Sequence, residues 1–223
     1  KIFVRDPHHV LQRPSDARLI FASNHPTGLF DRLLIQYVSP QRCYCLVQNW
    51  FEYTNCVERA LHVAAGRHAP NGIGGQFEHI VNHLKMGGAL WIAVGGDREL
   101  HPYVRKVHTG AARIALQTAR CEGVGLVRVV PIHLAFEAHS QRGTSVLVEV
   151  GEPVDVGDES VDTETPDGRL EVRRLTAVLG GRLSRLTNLV AADADADFVK
   201  KKANGAGEKR AALAEWRKVR LAD

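Results

Sequence analysis

A histidine and an aspartate in one short polar stretch are the residues best suited to acid–base chemistry in this chain. His25 and Asp31 lie in residues 23–31, between the apolar runs 18–22 and 33–38. A carboxylate that fixes the tautomer of a histidine and stabilises its imidazolium form allows that histidine to act as a general base. The stretch therefore predicts a base where a strand passes into a helix, the place where α/β sheets usually bind ligands.

The residues around this pair are suited to a sharp turn. Pro26 and Gly28 would turn the chain out of the strand, and the Asn24 side chain can hold the loop through hydrogen bonds to the backbone. The same residues also fit a simple turn followed by a solvated aspartate at a helix N-terminus, which the helix dipole favours. On this stretch alone the two interpretations are equally good.

A glycine pair and an arginine further along the chain suggest an anion site. The apolar run 89–94 is followed by the pair Gly95-Gly96 and then by Asp97 and Arg98. Glycines at the end of a strand let backbone amides approach an anion, and the guanidinium fork suits a phosphate. A glycine turn with surface charges is the alternative interpretation.

The elements that must position these residues follow from the alternation of apolar runs and helical patterns. This alternation predicts an α/β fold, a single domain with a mostly parallel mixed sheet flanked by helices. Strands are expected near residues 19–22, 43–47, 61–64, 89–94, 126–133 and 145–150. Helices are expected at about 74–86, 109–120 and 168–190, with an acidic loop at 151–168. Pro131 lies inside a predicted strand, which is unusual unless it marks a bulge or a strand end.

The C-terminal part of the chain differs in composition. We expect a globular domain over residues 1–190, and a linker and basic tail over 191–223, because 191–197 contains only Ala and Asp. In the tail, Leu213, Trp216 and Val219 are interleaved with Lys and Arg. This pattern suits an amphipathic helix on an anionic membrane, a nucleic-acid partner or an ordinary solvated helix.

Composition limits the class of protein. At 223 residues and 44% hydrophobic, the chain can bury one sizeable core. We find neither an apolar window long enough to cross a bilayer nor the layout of a signal peptide. The chain begins with Lys1 and has a single methionine, Met86, so a missing native N-terminal segment, with or without an anchor, is left open.

Charge and cysteine content leave several partners open. The net charge of +4 suits phosphorylated metabolites, acidic lipid headgroups or nucleic acid. The four cysteines, Cys43, Cys45, Cys56 and Cys121, have no disulfide or metal spacing and are expected to be reduced and mostly buried.

Other chemistries lack their motifs. There is no Gly-x-Ser-x-Gly elbow for a serine hydrolase and no Walker-type loop for a nucleotide. His79 and His83 are four residues apart on a predicted helix, but no further ligand accompanies them, so no metal site is expected.

Several short blocks occur together in one order. They are Asn24-His25 with Asp31, Arg67, Gly96-Asp97-Arg98, residues 109–112 (Thr-Gly-Ala-Ala) and residues 129–132 (Val-Val-Pro-Ile). This ordered set resembles the glycerolipid acyltransferases, the superfamily of lysophosphatidic acid and glycerol-3-phosphate acyltransferases. The resemblance extends from about residue 19 to residue 153.

The resemblance implies a reaction and a set of roles. His25 would deprotonate an acceptor hydroxyl and Asp31 would orient it, and the hydroxyl would attack an acyl thioester of CoA or acyl carrier protein directly. Arg67 would help bind the acceptor phosphate, with Asn24, Gly96, Asp97 and Arg98 as further substrate-binding residues. No metal or cofactor beyond the thioester co-substrate is implied, and no nucleic acid. The protein would be cytoplasmic and peripheral, at the inner face of an anionic membrane.

Two departures from the family pattern mark a divergent branch. Five residues, 26–30, separate His25 from Asp31, one more than in the usual first block, although branches that open with Asn-His-Pro show this longer spacing. Gly95 stands where the third block has glutamate, and Asp97 is the candidate substitute, as acids are there in the hemolysin-like and ornithine-lipid branches. The acceptor could then be an amino-lipid or sugar-lipid hydroxyl, and a non-catalytic lipid- or partner-binding member of the same fold is the alternative.

Overall fold

The apolar runs form the strands of one sheet. The computed structural model describes residues 1–11, 16–46, 72–96, 104, 106–136, 145–157 and 162–204, side chains excepted at 29, 72–78 and 189–204. The strands are β1 (Ile2–Arg5), β2 (Arg18–Ser23), β3 (Cys43–Leu46), β4 (Ala89–Ala93), β5 (Val127–Phe136), β6 (Val146–Val150) and β7 (Val154–Val156). The helices are α1 (Leu29–Val38), α2 (Gly72–Lys85), α3 (Gly110–Ala119) and α4 (Pro166–Asn204).

The sheet is mixed and mostly parallel, as predicted. Its strand order is β1-β6-β5-β2-β4-β3, with β7 paired to β5. The pairs β1/β6, β2/β4, β2/β5 and β3/β4 are parallel, whereas β6 and β7 run antiparallel to β5. Strand β2, which leads into the His25 stretch, therefore lies in the middle of the sheet, between β5 and β4.

Both faces of the sheet are covered, which explains why β2 is a continuous apolar run. Leu19 and Phe21 pack with Ile35 of α1 on one face. Ile20 and Ala22 pack on the other face, against side chains of α2, α3 and α4. Successive side chains of a strand point to opposite faces, so a strand between two helix layers needs apolar residues at every position.

Pro131 lies inside β5 at a point where its missing N–H is not needed. The Pro131 carbonyl accepts a hydrogen bond from the Gly151 N–H at 2.8 Å, so this residue faces the antiparallel side of β5. On that side β7 pairs with Val127–Val129 and β6 with Ile132–Phe136. The proline therefore occupies the junction between two partner strands, while the opposite edge of β5 pairs with β2 without interruption.

Three local expectations are corrected by the structure. Strand β1 was not predicted, and the short strand β7 lies inside the segment expected to be a loop. The linker expected at 191–197 is wrong, because α4 continues through it to Asn204. Alanine is the strongest helix former, and the segment has no glycine or proline to end the helix. The division of the chain at residue 190 stays a prediction, and residues 205–223 and the strand expected at 61–64 lie outside the described residues.

The cysteines of the described part are free thiols, as expected. Cys43 and Cys45 are buried in the core beneath α1, and burial raises the pKa of both thiols. Cys121 is partly buried, and Cys56 lies outside the described residues. Among the helices that the structure describes, none has the length and apolar composition needed to cross a bilayer.

His133 is a fully buried histidine on β5, paired in register with Glu149 of β6. Neither ring nitrogen has a hydrogen-bond partner within the described ranges. Burial disfavours the charged imidazolium and lowers the pKa of His133 to about 4. The native protein therefore holds this histidine neutral over a pH range in which an unfolded chain would protonate it.

This burial predicts an acid-sensitive contribution to stability. Because the native pKa of His133 is below the unfolded value, the unfolded state binds more protons, and stability falls as the pH drops through about 6.5 toward 4. The loss should reach about 3 kcal/mol in the free energy of unfolding. Urea unfolding of the wild type and of His133→Leu between these pH values measures the difference, and His133→Gln serves if the leucine variant does not fold. Parallel pH dependence in wild type and variant would contradict the assignment.

Candidate active site

The turn between β2 and α1 places a histidine and an aspartate side by side. The chain leaves β2 at Ser23 and enters α1 at Leu29, with Gly28 as the helix N-cap. Gly28 has a φ of +82°, a conformation that side chains disfavour, so the turn depends on glycine there. Asp31 then falls in the first turn of α1, as expected.

Asp31 is fully buried, and both of its carboxylate oxygens accept hydrogen bonds. Its Oδ2 accepts from the backbone N–H of Thr27 at 2.9 Å and of Gly28 at 3.0 Å. Its Oδ1 accepts from the Thr27 hydroxyl at 2.5 Å. The carboxylate thus caps α1, where the helix dipole also favours a negative charge, and cannot rotate without losing these bonds.

His25 is oriented by the same carboxylate. Its Nδ1 lies 2.9 Å from Asp31 Oδ2. An ionised carboxylate can only accept, so Nδ1 carries the proton and Nε2 of the neutral ring is left with its lone pair. The His25 side chain is 15% exposed whereas that of Asp31 is 0% exposed. A buried carboxylate behind a partly exposed imidazole is an arrangement that suits general-base catalysis.

Trp91 of β4 supports the imidazole from the side. The two rings meet edge to face, with centroids 5.4 Å apart and planes at 68°. The Trp91 indole N–H donates to the Ser23 hydroxyl at 2.7 Å, and that hydroxyl donates to the Asn24 carbonyl at 2.8 Å. The indole is therefore fixed at one end by β2 and restricts the position of His25 at the other.

Asn24 fastens the end of β2 to β5. Its side-chain Nδ2 donates to the Leu134 carbonyl at 3.0 Å, and its Oδ1 accepts from the Leu134 N–H at 2.8 Å. The residue is 2% exposed. The Asn24 side chain thus bonds backbone groups, but these belong to β5 and not to the loop that Asn24 was expected to hold. Its role in substrate binding stays a prediction.

Gly96 lies just beyond the carboxyl end of β4, at the same end of the parallel strands as the His25 turn. The Val94 N–H donates to the Ser23 carbonyl at 3.0 Å, which brings the chain after β4 alongside the His25 turn. The Val94 carbonyl accepts from the His108 N–H at 2.8 Å, which brings in the segment before α3. Gly96 has a φ of +82°, the second position at this end that depends on glycine.

A cavity of about 370 Å³ opens beside Gly96. Its walls are mainly aliphatic side chains from β3, α2, β4, the chain just after β4, and α3: Leu46, Ile80, Ile92, Val94 and Ile114. Polar groups, His108, Thr109 and Arg113, line the part near the N-terminus of α3. An apolar cavity of this size with a few polar groups is typical of a small-molecule site.

The structure describes only part of the site predicted from sequence. It brings together Asn24, His25 and Asp31, and places Gly96 at the adjoining strand end. Arg67, Asp97 and Arg98 lie outside the described residues. Of the two histidines that are four residues apart, for which no metal site was expected, His79 is exposed and the His83 Nε2 is bonded to the carbonyls of Arg42 and Ala89.

Sequence reasoning missed Thr27 and Trp91. The position of Thr27, four residues before Asp31, was available as a signal, because threonines in turns often bond a nearby side chain or backbone group. Trp91 carried no such signal. Its contact with His25 depends on β2 and β4 being neighbours, and strand order cannot be read from hydrophobic periodicity.

Comparisons with known proteins identify the family and the fold of this chain. A family model described as "Acyltransferase" matches residues 1–135. The fold is similar to the crystal structure of the 1-acyl-sn-glycerophosphate (LPA) acyltransferase PlsC from Thermotoga maritima, with a TM-score of 0.55 and 18% sequence identity over 85% of this chain and 72% of that one. No curated protein matches the chain. The chain thus belongs to the acyltransferase family and has the fold of the glycerolipid acyltransferases.

Proposed function

We propose that this protein transfers a fatty acyl chain from a thioester of CoA or acyl carrier protein to a hydroxyl of a lysophospholipid or related lipid-like acceptor. His25 is the general base and Asp31 orients it. We propose further that Arg67 and Arg98 bind the anionic part of the acceptor, together with Gly96 and Asp97. The protein would work at a membrane surface, on the cytoplasmic side.

The proposed step needs no covalent enzyme intermediate. The His25 Nε2 removes the proton as the acceptor oxygen attacks the thioester carbonyl carbon. The new C–O bond forms, the C–S bond breaks, and the leaving sulfur takes the proton from the imidazolium. The Asp31 carboxylate stabilises that imidazolium between the two proton transfers.

The observation that carries the proposal is the 2.9 Å contact between His25 Nδ1 and Asp31 Oδ2. A solvated aspartate at a helix N-terminus would not need a histidine beside it. Here the carboxylate is buried, held by Thr27 and Gly28, and aimed at the imidazole. This geometry favours catalysis over the simple turn that fits the sequence of residues 23–31 equally well.

The cavity beside Gly96 supports an apolar acyl donor. Its aliphatic walls would accept an alkyl chain, and its polar part lies near the carboxyl end of β4, the end of the parallel strands that also carries His25. His25 is not itself a lining residue, so we propose only that an acyl chain enters this cavity from that end of the strands. An alkyl chain bound against these walls would remove apolar surface from water, which favours binding.

A panel of donors and acceptors tests the proposal. Purified protein would be incubated with acyl-CoA and acyl carrier protein thioesters of several chain lengths, each with glycerol-3-phosphate, lysophospholipids, and lyso-forms of amino-lipids and sugar-lipids. Mass spectrometry of the lipid products should find an O-acylated acceptor that depends on both substrates. Absence of any product across the panel, from folded protein, would contradict the proposal.

Gly95 favours a second candidate function. In it, the protein is a non-catalytic member of the fold that binds lipid or a partner. The third block of the family has a carboxylate where this chain has Gly95. If Asp97 does not supply the missing carboxylate, the site would bind lipid or a partner without transferring an acyl chain. Lipid binding by a protein that turns over no thioester is the result that this candidate predicts.

A further inference from the structure

Helix α1, which carries Asp31, buries its charged residues together with Ile35 and Val38, and exposes two aromatic residues on its other side. Its two charged side chains, Asp31 and Arg32, are buried, 0% and 2% exposed. Phe30 and Tyr37 are instead 64% and 60% exposed. A surface helix of a globular protein normally buries its apolar stripe and exposes its charges.

The exposed apolar residues of α1 form one stripe. Phe30, Leu33 and Tyr37 follow the i, i+3, i+7 spacing that puts side chains on one face of a helix, and Leu33 is partly exposed. Pro40, just after the helix, is also exposed. The stripe spans roughly 10 Å from Phe30 to Tyr37 at the rise of an α-helix. We call Phe30, Leu33, Tyr37 and Pro40 the α1 stripe.

The α1 stripe begins at the proposed catalytic pair. Phe30 directly precedes Asp31, whose carboxylate holds His25. At the other end, the exposed Arg42 follows the stripe, and the Gln36 side chain of α1 accepts from the adjoining Cys43 N–H at 3.2 Å, which keeps this segment against the helix. The surface thus combines exposed aromatic rings, no exposed charge within the helix, and a cation at its end.

We propose that the α1 stripe is the surface by which this protein docks on an anionic lipid bilayer, with Phe30 and Tyr37 in the interfacial layer and Arg42 against lipid phosphate. This inference rests on the proposed function, because a membrane-borne acceptor must reach His25. Aromatic rings, above all those with a polar end such as tyrosine, favour the boundary between headgroups and acyl chains. A cation beside them adds attraction to anionic lipid.

The bilayer is favoured over a protein occupant by the position and chemistry of the stripe. A lipid acceptor that leaves the bilayer beside Phe30 would enter the site without crossing water. The net charge of +4 also complements an anionic surface.

A matched pair of double variants tests the surface. Phe30→Ser/Tyr37→Ser removes two exposed apolar side chains from the stripe. Met86→Ser/Leu170→Ser removes two from elsewhere, where Met86 is 88% and Leu170 65% exposed. Flotation with vesicles of phosphatidylcholine and phosphatidylglycerol measures binding. The stripe variant should bind roughly tenfold or more weakly, because the apolar area that enters the bilayer is lost, while the control binds like wild type.

Activity separates this inference from the proposed function. The stripe variant should lose transfer to a long-chain acceptor in vesicles, yet keep transfer to a short-chain, water-soluble acceptor within about twofold.

Absence of vesicle binding by wild type, unchanged binding of the stripe variant, or equal losses in both double variants would overturn the docking surface but leave the proposed function intact. Light scattering that finds a wild-type dimer and a monomeric stripe variant would also overturn it. Stripe-dependent vesicle binding without any thioester turnover would support the surface and reject the proposed function.

Discussion

Replacement of His25 by alanine should lower kcat/KM for acyl transfer by about 10³-fold, within the range that a positioned general base contributes. Asp31 orients the partly exposed imidazole through the 2.9 Å contact at Nδ1. Without it, the acceptor hydroxyl must lose its proton to water as it attacks. The change should appear mainly in kcat, because the proposed role of His25 is to accept a proton that moves in the transition state.

The fold should tolerate this change, which makes the kinetic result interpretable. His25 is partly exposed, and its described contacts are the Asp31 carboxylate and the Trp91 edge. Circular dichroism and thermal unfolding of His25→Ala should therefore resemble wild type. His25→Gln, which can keep a hydrogen bond to Asp31 but is no base, should be as inactive as the alanine variant. A glutamine variant with near-normal turnover would mean that His25 only fills the turn.

Replacement of Asp31 should separate its role as a helix cap from its role as a charge. In Asp31→Asn, the amide oxygen can still accept from His25 and from the Thr27 and Gly28 N–H groups, and the amide nitrogen can donate to the Thr27 hydroxyl. The hydrogen bonds survive, but the negative charge that stabilises an imidazolium is gone. We expect kcat to fall about 10²-fold to 10⁴-fold with little loss of stability.

Asp31→Ala should add a structural penalty to this kinetic loss. It leaves the partly buried Thr27 and Gly28 donors and the His25 N–H without their acceptor. We expect the free energy of unfolding to fall by about 3 kcal/mol. Denaturant unfolding of wild type and both variants measures this, with Thr27→Val, which loses one hydroxyl bond, as the mild control. An asparagine variant that is fully active would show that the carboxylate is a cap and nothing more.

The parts of this site that sequence could predict are those that lie close together along the chain. His25 and Asp31 are separated by one turn, and the apolar runs on either side identify that turn as a strand-to-helix junction. The partners supplied by other strands could not be predicted in this way. The Asn24 amide bonds Leu134, and the His25 ring meets Trp91, only because β5 and β4 flank β2 in the sheet.

Helix α1 shows a different limit of sequence reasoning. Apolar residues are normally assigned to the core, so Phe30 and Tyr37 would be placed inside and Arg32 outside. The structure reverses this, since the hydrogen bonds of Asp31 fix the rotation of the first turn, and Ile35 and Val38 then face the sheet. The rotation of α1, and with it the exposed stripe, depends on those side-chain contacts rather than on the average hydrophobicity of the helix.

The most direct test of the central claim is a rapid-mixing measurement of thiol release from an acyl thioester, with and without acceptor. If His25 activates the acceptor hydroxyl for direct attack, wild type should release thiol only after acceptor is added, and His25→Ala should release almost none in either case. One equivalent of thiol per protein before acceptor is added would reveal an acyl-enzyme and contradict direct attack. Acceptor-dependent release at the wild-type rate in His25→Ala would contradict the role of His25 as the base.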